Sequence, residues 1–257
     1  MIRIVRADGD EGTAFLKELA VRRAAVSAEA EEVVRPILTA VREKGDTALL
    51  EYARRFDGAS LTSGTLRVTP DEVTQAFDHL QPEALEALRL AAARIEQFHR
   101  RQLPHSWFLT EEGAILGQLC RPLDAVGIYI PGGKAVYPST VLMNGVPAAV
   151  AGVERRVLCT PVTAGLTVHP AVLVAASLAG IAEIYKVGGA QAIAALAYGT
   201  DSIPRVDKIV GPGNMYVATA KRLVAGVVGI DGIAGPTEVV VVADETGDPA
   251  YIGADLL

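Results

Sequence analysis

Over the first hundred or so residues, apolar side chains recur at intervals of three and four positions, which predicts helices. Across residues 28–56, Val33, Val34, Ile37, Leu38, Val41, Leu49 and Leu50 fall mostly on one face, and Gly45 marks a break between two helices. Thr69-Pro70-Asp71-Glu72 combines an N-cap threonine, a proline at the first helical position and a glutamate three residues after the cap, so a helix should run to about residue 79. Between residues 82 and 102, Leu85, Leu88, Leu90, Ala91, Ile95 and Phe98 share a face, Arg94, Glu96, Arg100 and Arg101 lie outside it, and Pro104 ends the run. Residues 103–113 read as a linker.

From residue 115 onward the period changes. Runs rich in β-branched residues occupy 125–130, 156–160, 183–187, 207–210 and 238–243, starting 31, 27, 24 and 31 residues apart. Helix-like stretches fill the intervals at 140–151, 170–178, 190–198 and 215–224. This alternation predicts an α/β fold: a helical N-terminal region followed by β-α units that form a mostly parallel sheet with helices on its faces. Ligands of such sheets bind outside the carboxyl ends of the strands. Four glycine-bearing loops fall there: Pro131-Gly132-Gly133, Gly188-Gly189-Ala190-Gln191, Gly211-Pro212-Gly213-Asn214 and Gly235-Pro236-Thr237-Glu238.

Composition narrows the function. A chain of 257 residues with half its residues hydrophobic and 5% aromatic has the makings of an aliphatic core, and a chain this long buries roughly 70 to 75% of its unfolded surface. Its 24 basic and 30 acidic residues give a formal charge of −6 without a basic tract, which argues against nucleic acid as a partner. The most apolar stretch, residues 171–182, is too short for a membrane span of about 20 residues, and the charged start fits no signal peptide, so a cytoplasmic protein is expected. Cys120 and Cys159 lie in separate apolar runs without a CxxC pair and read as buried, reduced thiols.

The chemistry-bearing positions are few. No GxGxxG follows a strand, no GxSxG occurs, and His79, His99, His105 and His169 form no HxxH or HExxH, so neither a standard dinucleotide fingerprint, a serine nucleophile nor an internal zinc site follows from spacing. Each glycine loop taken singly is explained by a tight turn. Together they present Tyr129, Gln191, Asn214 and Thr237. Tyr129 offers a ring or hydroxyl to a ligand or simply closes a strand. Gln191 is a polar residue at the start of a nearly apolar helix, where its amide meets the positive end of the dipole. Asn214 is a ligand contact or an N-cap. Thr237 binds a substrate group or finishes a turn.

The motifs in series resemble the histidinol dehydrogenase family: Val126-Gly127-Ile128-Tyr129-Ile130-Pro131-Gly132-Gly133, then Tyr137-Pro138-Ser139-Thr140-Val141-Leu142-Met143. The same order continues through Val187-Gly188-Gly189-Ala190-Gln191, Val206-Asp207-Lys208-Ile209-Val210-Gly211-Pro212-Gly213-Asn214 and Ile230-Asp231-Gly232-Ile233-Ala234-Gly235-Pro236-Thr237-Glu238. The resemblance covers nearly the whole chain. It implies that Tyr129, Gln191 and Asn214 contact NAD and that Thr237, where the family often has serine, contacts the substrate. The implied reaction is the two-step oxidation of L-histidinol to L-histidine through histidinaldehyde, at the end of histidine biosynthesis, in a zinc-dependent homodimer.

The implied architecture is that of the aldehyde dehydrogenase-like superfamily, with two incomplete Rossmann-like domains. Residues 1–24 would form an N-terminal extension, 25–129 with 239–257 one truncated, discontinuous domain, and 130–238 a complete NAD-binding domain. The family's zinc ligands and its glutamate-histidine acid/base pair lie beyond the position matching Leu257, so no catalytic or metal residue is expected within this chain. Two other readings are a non-catalytic nucleotide- or partner-binding member of the family, and a relative of that fold using a nucleophilic cysteine. Cys120 and Cys159, in presumed strands, disfavour the latter. A strand at 238–243 would then belong to a half-built sheet, so the isolated chain is expected to aggregate; a cooperative melt of a monomer, with an unfolding enthalpy normal for its size, would contradict that.

Overall fold

The computed structural model describes residues 9–132, 135–162, 165–233 and 239–256, with backbone alone over 19–27. Five helices come first: α1 (Asp10–Lys44), α2 (Asp46–Asp57), α3 (Ser63–Leu66), α4 (Pro70–Asp78) and α5 (Pro82–Arg100). A hairpin follows, β1 (Trp107–Glu111) and β2 (Ala114–Gln118). The remaining elements alternate as β3 (Ala125–Tyr129), α6 (Pro138–Val150), β4 (Arg155–Thr160), α7 (Pro170–Leu178), β5 (Glu183–Lys186), α8 (Gly189–Tyr198), β6 (Lys208–Val210), α9 (Met215–Val224) and β7 (Gly229–Ile230). A last helix, α10 (Pro249–Asp255), ends the described chain.

The predicted breaks coincide with real ones. Gly45 separates α1 from α2 at a φ of 54°, a left-handed value that glycine adopts without strain. Thr69 and Glu72 form the reciprocal capping box at the start of α4, with Glu72 N donating to Thr69 Oγ1 at 3.2 Å and Thr69 N to Glu72 Oε2 at 2.9 Å. Glu72 also pairs with the nearly buried Lys186 at the end of β5, 2.6 Å away. Burial alone would raise the Glu72 carboxyl, but the hydrogen bonds from Lys186 and Thr69 outweigh it and hold the group below its usual value.

Strands β3 to β7 form one parallel sheet in the order β5-β4-β3-β6-β7. The chain winds outward from β3 through β4 to β5, then returns to the other side of β3 for β6 and β7. Side chains alternate even though both faces are covered. Ala125, Tyr129, Val157, Cys159 and Ile209 join one core with α1, α2, α8 and α9. Val126, Ile128, Ile130, Leu158 and Ile184 join another with α4 to α7. Strand β3, which ends at the expected domain boundary, is the central strand of this sheet.

Three expectations are corrected. Residues 103–113 are not a plain linker: they contain β1, paired antiparallel with β2 through a Glu112-Gly113 turn in which Gly113 has a φ of 78°. Such two-residue turns favour glycine, a signal that the acidic and proline residues around it masked. All ten hairpin residues are exposed, including Phe108 and Ile115. The predicted strand at 238–243 is absent. Residue 238 is outside the described set, and 239–243 form no ladder; Val240 and Val242 are 86% and 94% exposed. β propensity alone does not make a strand when no neighbour receives its backbone groups. Cys120 lies past the end of β2 and is only half-buried, whereas Cys159 is fully buried in β4 as expected. Burial drives the Cys159 thiol far above its ordinary range, keeping it protonated and inert.

The sheet's midline fixes the β6–α9 loop. A Cβ built on Gly211 would lie 2.1 Å from the Tyr129 carbonyl oxygen, and Gly211 has a φ of 112°. The three nearest atoms are all Tyr129 backbone, so nothing can move aside. Gly211→Ala is expected to cost about 3 kcal/mol or more from strain and overlap together, read as a lower denaturation midpoint at unchanged slope.

Candidate functional site

A cleft of about 540 Å³ opens at the carboxyl edge of the sheet. Its residues come from every loop that leaves β3 to β6: Pro131 and Gly132 after β3, Pro161 and Val162 after β4, Gly189 to Gln191 after β5, and Asn214 and Tyr216 after β6. The opposite wall is helical, with Val33 and Ile37 from α1 and Phe56 and Asp57 from the end of α2. The structure therefore brings Tyr129, Gln191 and Asn214 together. Thr237 and Gly133 lie outside the described residues.

Tyr129 ends β3 and is 3% exposed. Its hydroxyl accepts the Gly189 amide at 3.1 Å, and burial pushes the phenol up to about 12, so it stays neutral. It supports the loop beneath the cleft and also lines it. Asn214 caps α9: its Oδ1 accepts from the amides of Tyr216 and Val217, both at 3.1 Å. Capping takes the carbonyl side of that amide and leaves its NH2 group for a ligand.

Gln191 sits in the first turn of α8 at 1% exposure, and neither its Oε1 nor its Nε2 has a partner. An amide left dry and unpaired costs about 1–3 kcal/mol for each polar group. Gly189 makes room for it: at a φ of 67°, a Cβ there would meet Gln191 Oε1 at 2.6 Å.

Sequence reasoning missed two features. The first is Asp57, which accepts the Gly188 amide while its Oδ2 is shielded and unpaired. Burial raises its carboxyl above the usual value, partly opposed by the Gly188 hydrogen bond. No local pattern places it, because its position depends on α2 docking against α8. The second is Lys221, 1% exposed, whose Nζ donates to the Gly211 carbonyl at 2.8 Å and to the Asp231 carboxylate. Asp231 also accepts the Gly211 amide at 2.8 Å, so the pair clamps both sides of Gly211. The signal here was legible: Lys221 shares the apolar face of α9 with Val217 and Val224.

With this geometry established, similarity to known proteins assigns the chain. The family model described as histidinol dehydrogenase matches residues 20–257. The chain belongs to the histidinol dehydrogenase family. It is 53% identical over its whole length to the histidinol dehydrogenase of Syntrophotalea carbinolica, of which the match covers 60%. It is 56% identical over 89% of its length to that of Thermosynechococcus vestitus, covering 53% of that protein. The crystal structure of histidinol dehydrogenase from Elizabethkingia anophelis superposes with a TM-score of 0.81 at 43% identity, across 87% of this chain and 52% of that one. The chain thus spans little more than half the length of these relatives.

Among the described residues no group of three histidine, cysteine, aspartate or glutamate side chains could hold a metal, and no helix is long and apolar enough to cross a membrane.

The raised Asp57 carboxyl gives a pH signature. A folded pKa above the unfolded value means that its stabilising contribution is fully present below the unfolded pKa and is lost as pH rises through the folded one. Relative to Asp57→Asn, the native chain should lose stability as pH climbs from just below 3.8 toward neutrality; parallel denaturation midpoints of the two proteins across that range would remove the premise.

Proposed function

We propose that this chain forms the NAD-binding part of a histidinol dehydrogenase that oxidises L-histidinol to L-histidine through histidinaldehyde. One observation carries the reading. The buried, unpaired amide of Gln191 lines a cleft at the carboxyl ends of a sheet wound outward from β3 in both directions, where dinucleotides are received. The residues present fit the cofactor: an amide with a free donor and acceptor, the Asn214 NH2 group and a loop of bared glycine backbone. NAD, when bound, supplies the hydride acceptor.

The chain's own contribution is binding and orientation. Tyr129 braces the Gly188-Gly189 loop, and the Lys221–Asp231 clamp holds Gly211 against β3. The NAD-binding unit is then the Rossmann-like segment 130–238, packed on the preceding strand β3 at the centre of the sheet. The described residues do not fit zinc, so no step is assigned to metal here. Thr237 as a substrate contact and the homodimer rest on the family resemblance, with proton transfer assigned to residues beyond Leu257. A non-catalytic nucleotide-binding member of the family would share the same cleft.

Calorimetric titration of the intact chain with NAD should give saturable binding that weakens roughly ten-fold in Gln191→Ala and less in Asn214→Ala, in keeping with lost hydrogen bonds. Undiminished affinity in both variants would refute the assignment. NADH formation from L-histidinol with added zinc is expected to be absent from residues 1–257 alone; turnover by this chain would place the catalytic groups within it.

A further inference from the structure

We infer that Lys221 and Asp231 are positioning residues, which together hold the loop carrying Asn214 in its ligand-receiving shape before any nucleotide arrives; the inference rests on the nucleotide-binding reading of the cleft. Neither residue lines that cleft, so whatever they contribute reaches a ligand through Asn214.

The loop is closed into a ring. Lys221 lies two turns along α9 from the cap residue Asn214, and its ammonium returns to the carbonyl of Gly211, ten positions earlier in the chain. The Asp231 carboxylate completes the ring by pairing with that ammonium and accepting the Gly211 amide. Asp231 is itself tied down. Its backbone amide donates to the Ile209 carbonyl at 3.2 Å, and its Oδ1 accepts the Gly232 amide at 2.8 Å. One carboxylate therefore joins the loops that leave the adjacent strands β6 and β7. Between the clamp and Asn214 little freedom is left. Pro212 has a fixed φ, and Gly213 lies so close to α9 that a Cβ would meet the Val217 side chain at 2.3 Å.

Stability does not account for the buried charge. An ammonium at 1% exposure is costly even when it is paired, and an apolar side chain of similar length would fill the same space. What the charge secures is the shape of the loop. Without the clamp, Gly211 and Gly213 regain the wide backbone freedom of glycine, and a ligand would have to order them on arrival. Ordering a single residue corresponds to roughly ten-fold in affinity. The Asn214 NH2 group would still be present, but no longer held in register with the cleft.

Lys221→Met in the intact chain is the first test. The Asp231 side chain is 33% exposed, so water solvates the carboxylate when the ammonium is gone, and the variant should fold. Its affinity for NAD by calorimetric titration should fall roughly ten-fold. Asp231→Asn, whose amide oxygen still accepts from Gly211, should lose about three-fold, and carries the test on its own if Lys221→Met does not fold. Hydrogen exchange supplies a readout that a general loss of stability does not mimic. Without ligand, the Gly211 amide of Lys221→Met should exchange roughly ten-fold faster than in the native chain while β3 and β4 keep their protection, and saturating NAD should restore the slow rate. Ser202→Ala removes a comparable bond, from a loop to Asp46 of α2, and neither of those residues lines the cleft. It should lower the melting temperature and leave NAD affinity within about two-fold of native. An affinity of Lys221→Met within about two-fold of native, or faster exchange spread evenly over β3 and β4, would overturn the inference and leave the nucleotide reading in place. Absence of NAD binding by the native chain would overturn that reading, and this inference with it.

Discussion

The structure is organised by the burial of α8. Residues Ala190 through Ala197 are all buried, between the sheet on one side and the N-terminal helices α1 and α2 on the other. A helix enclosed in this way has to be apolar almost throughout, and small residues let its neighbours approach closely. Gly127 in β3 belongs to the same constraint, since a Cβ there would come within 3.0 Å of the Leu196 side chain. Enclosure also leaves the amides at the N-terminus of α8 without water. The protein answers with Tyr129 on one amide and Asp57 on the preceding one. The cleft is therefore a by-product of how one buried helix is capped, and the N-terminal helices are part of its wall rather than an appendage.

Much of this was legible in the sequence because it is written locally. The capping box at Thr69, the break at Gly45 and the bounds of α7 and α9 each depend on residues adjacent in the chain. The four strands from β3 to β6 were legible for the same reason: short β-branched runs are separated by helix-length intervals. The positions of Gln191 and Asn214 at the cleft could be read because glycine loops at strand ends announce themselves.

What could not be read depends on partners distant in sequence. The valine run from Val239 to Val242 has the composition of a strand and lies exposed without one, because pairing rather than propensity makes a ladder. The β1–β2 hairpin was hidden for the converse reason: its turn is ordinary, but its strands bury neither face, so no alternation was available to reveal them. Asp57 sits at the end of an ordinary amphipathic helix, and only the docking of α2 on α8 brings it to Gly188.

The distribution of unsatisfied groups gives the cleft its meaning. Among the described residues, four buried side-chain nitrogen or oxygen atoms lack a partner, and three of them belong to Gln191 and Asp57. The fourth is the Nε of Arg156, whose other nitrogens donate to the carbonyls of Val153 and Gly180, so that side chain is already anchored. A core so fully apolar could have excluded both cleft residues; a leucine in place of Gln191 would remove about 1–3 kcal/mol of unsatisfied polarity for each group. Retaining them in one cavity concentrates the cost where a ligand carrying donors and acceptors would relieve it. Tyr129 and Lys221 are no less buried, yet their polar atoms are bonded within the protein. That contrast separates residues whose polar atoms build the cleft from residues whose polar atoms remain unpaired within it.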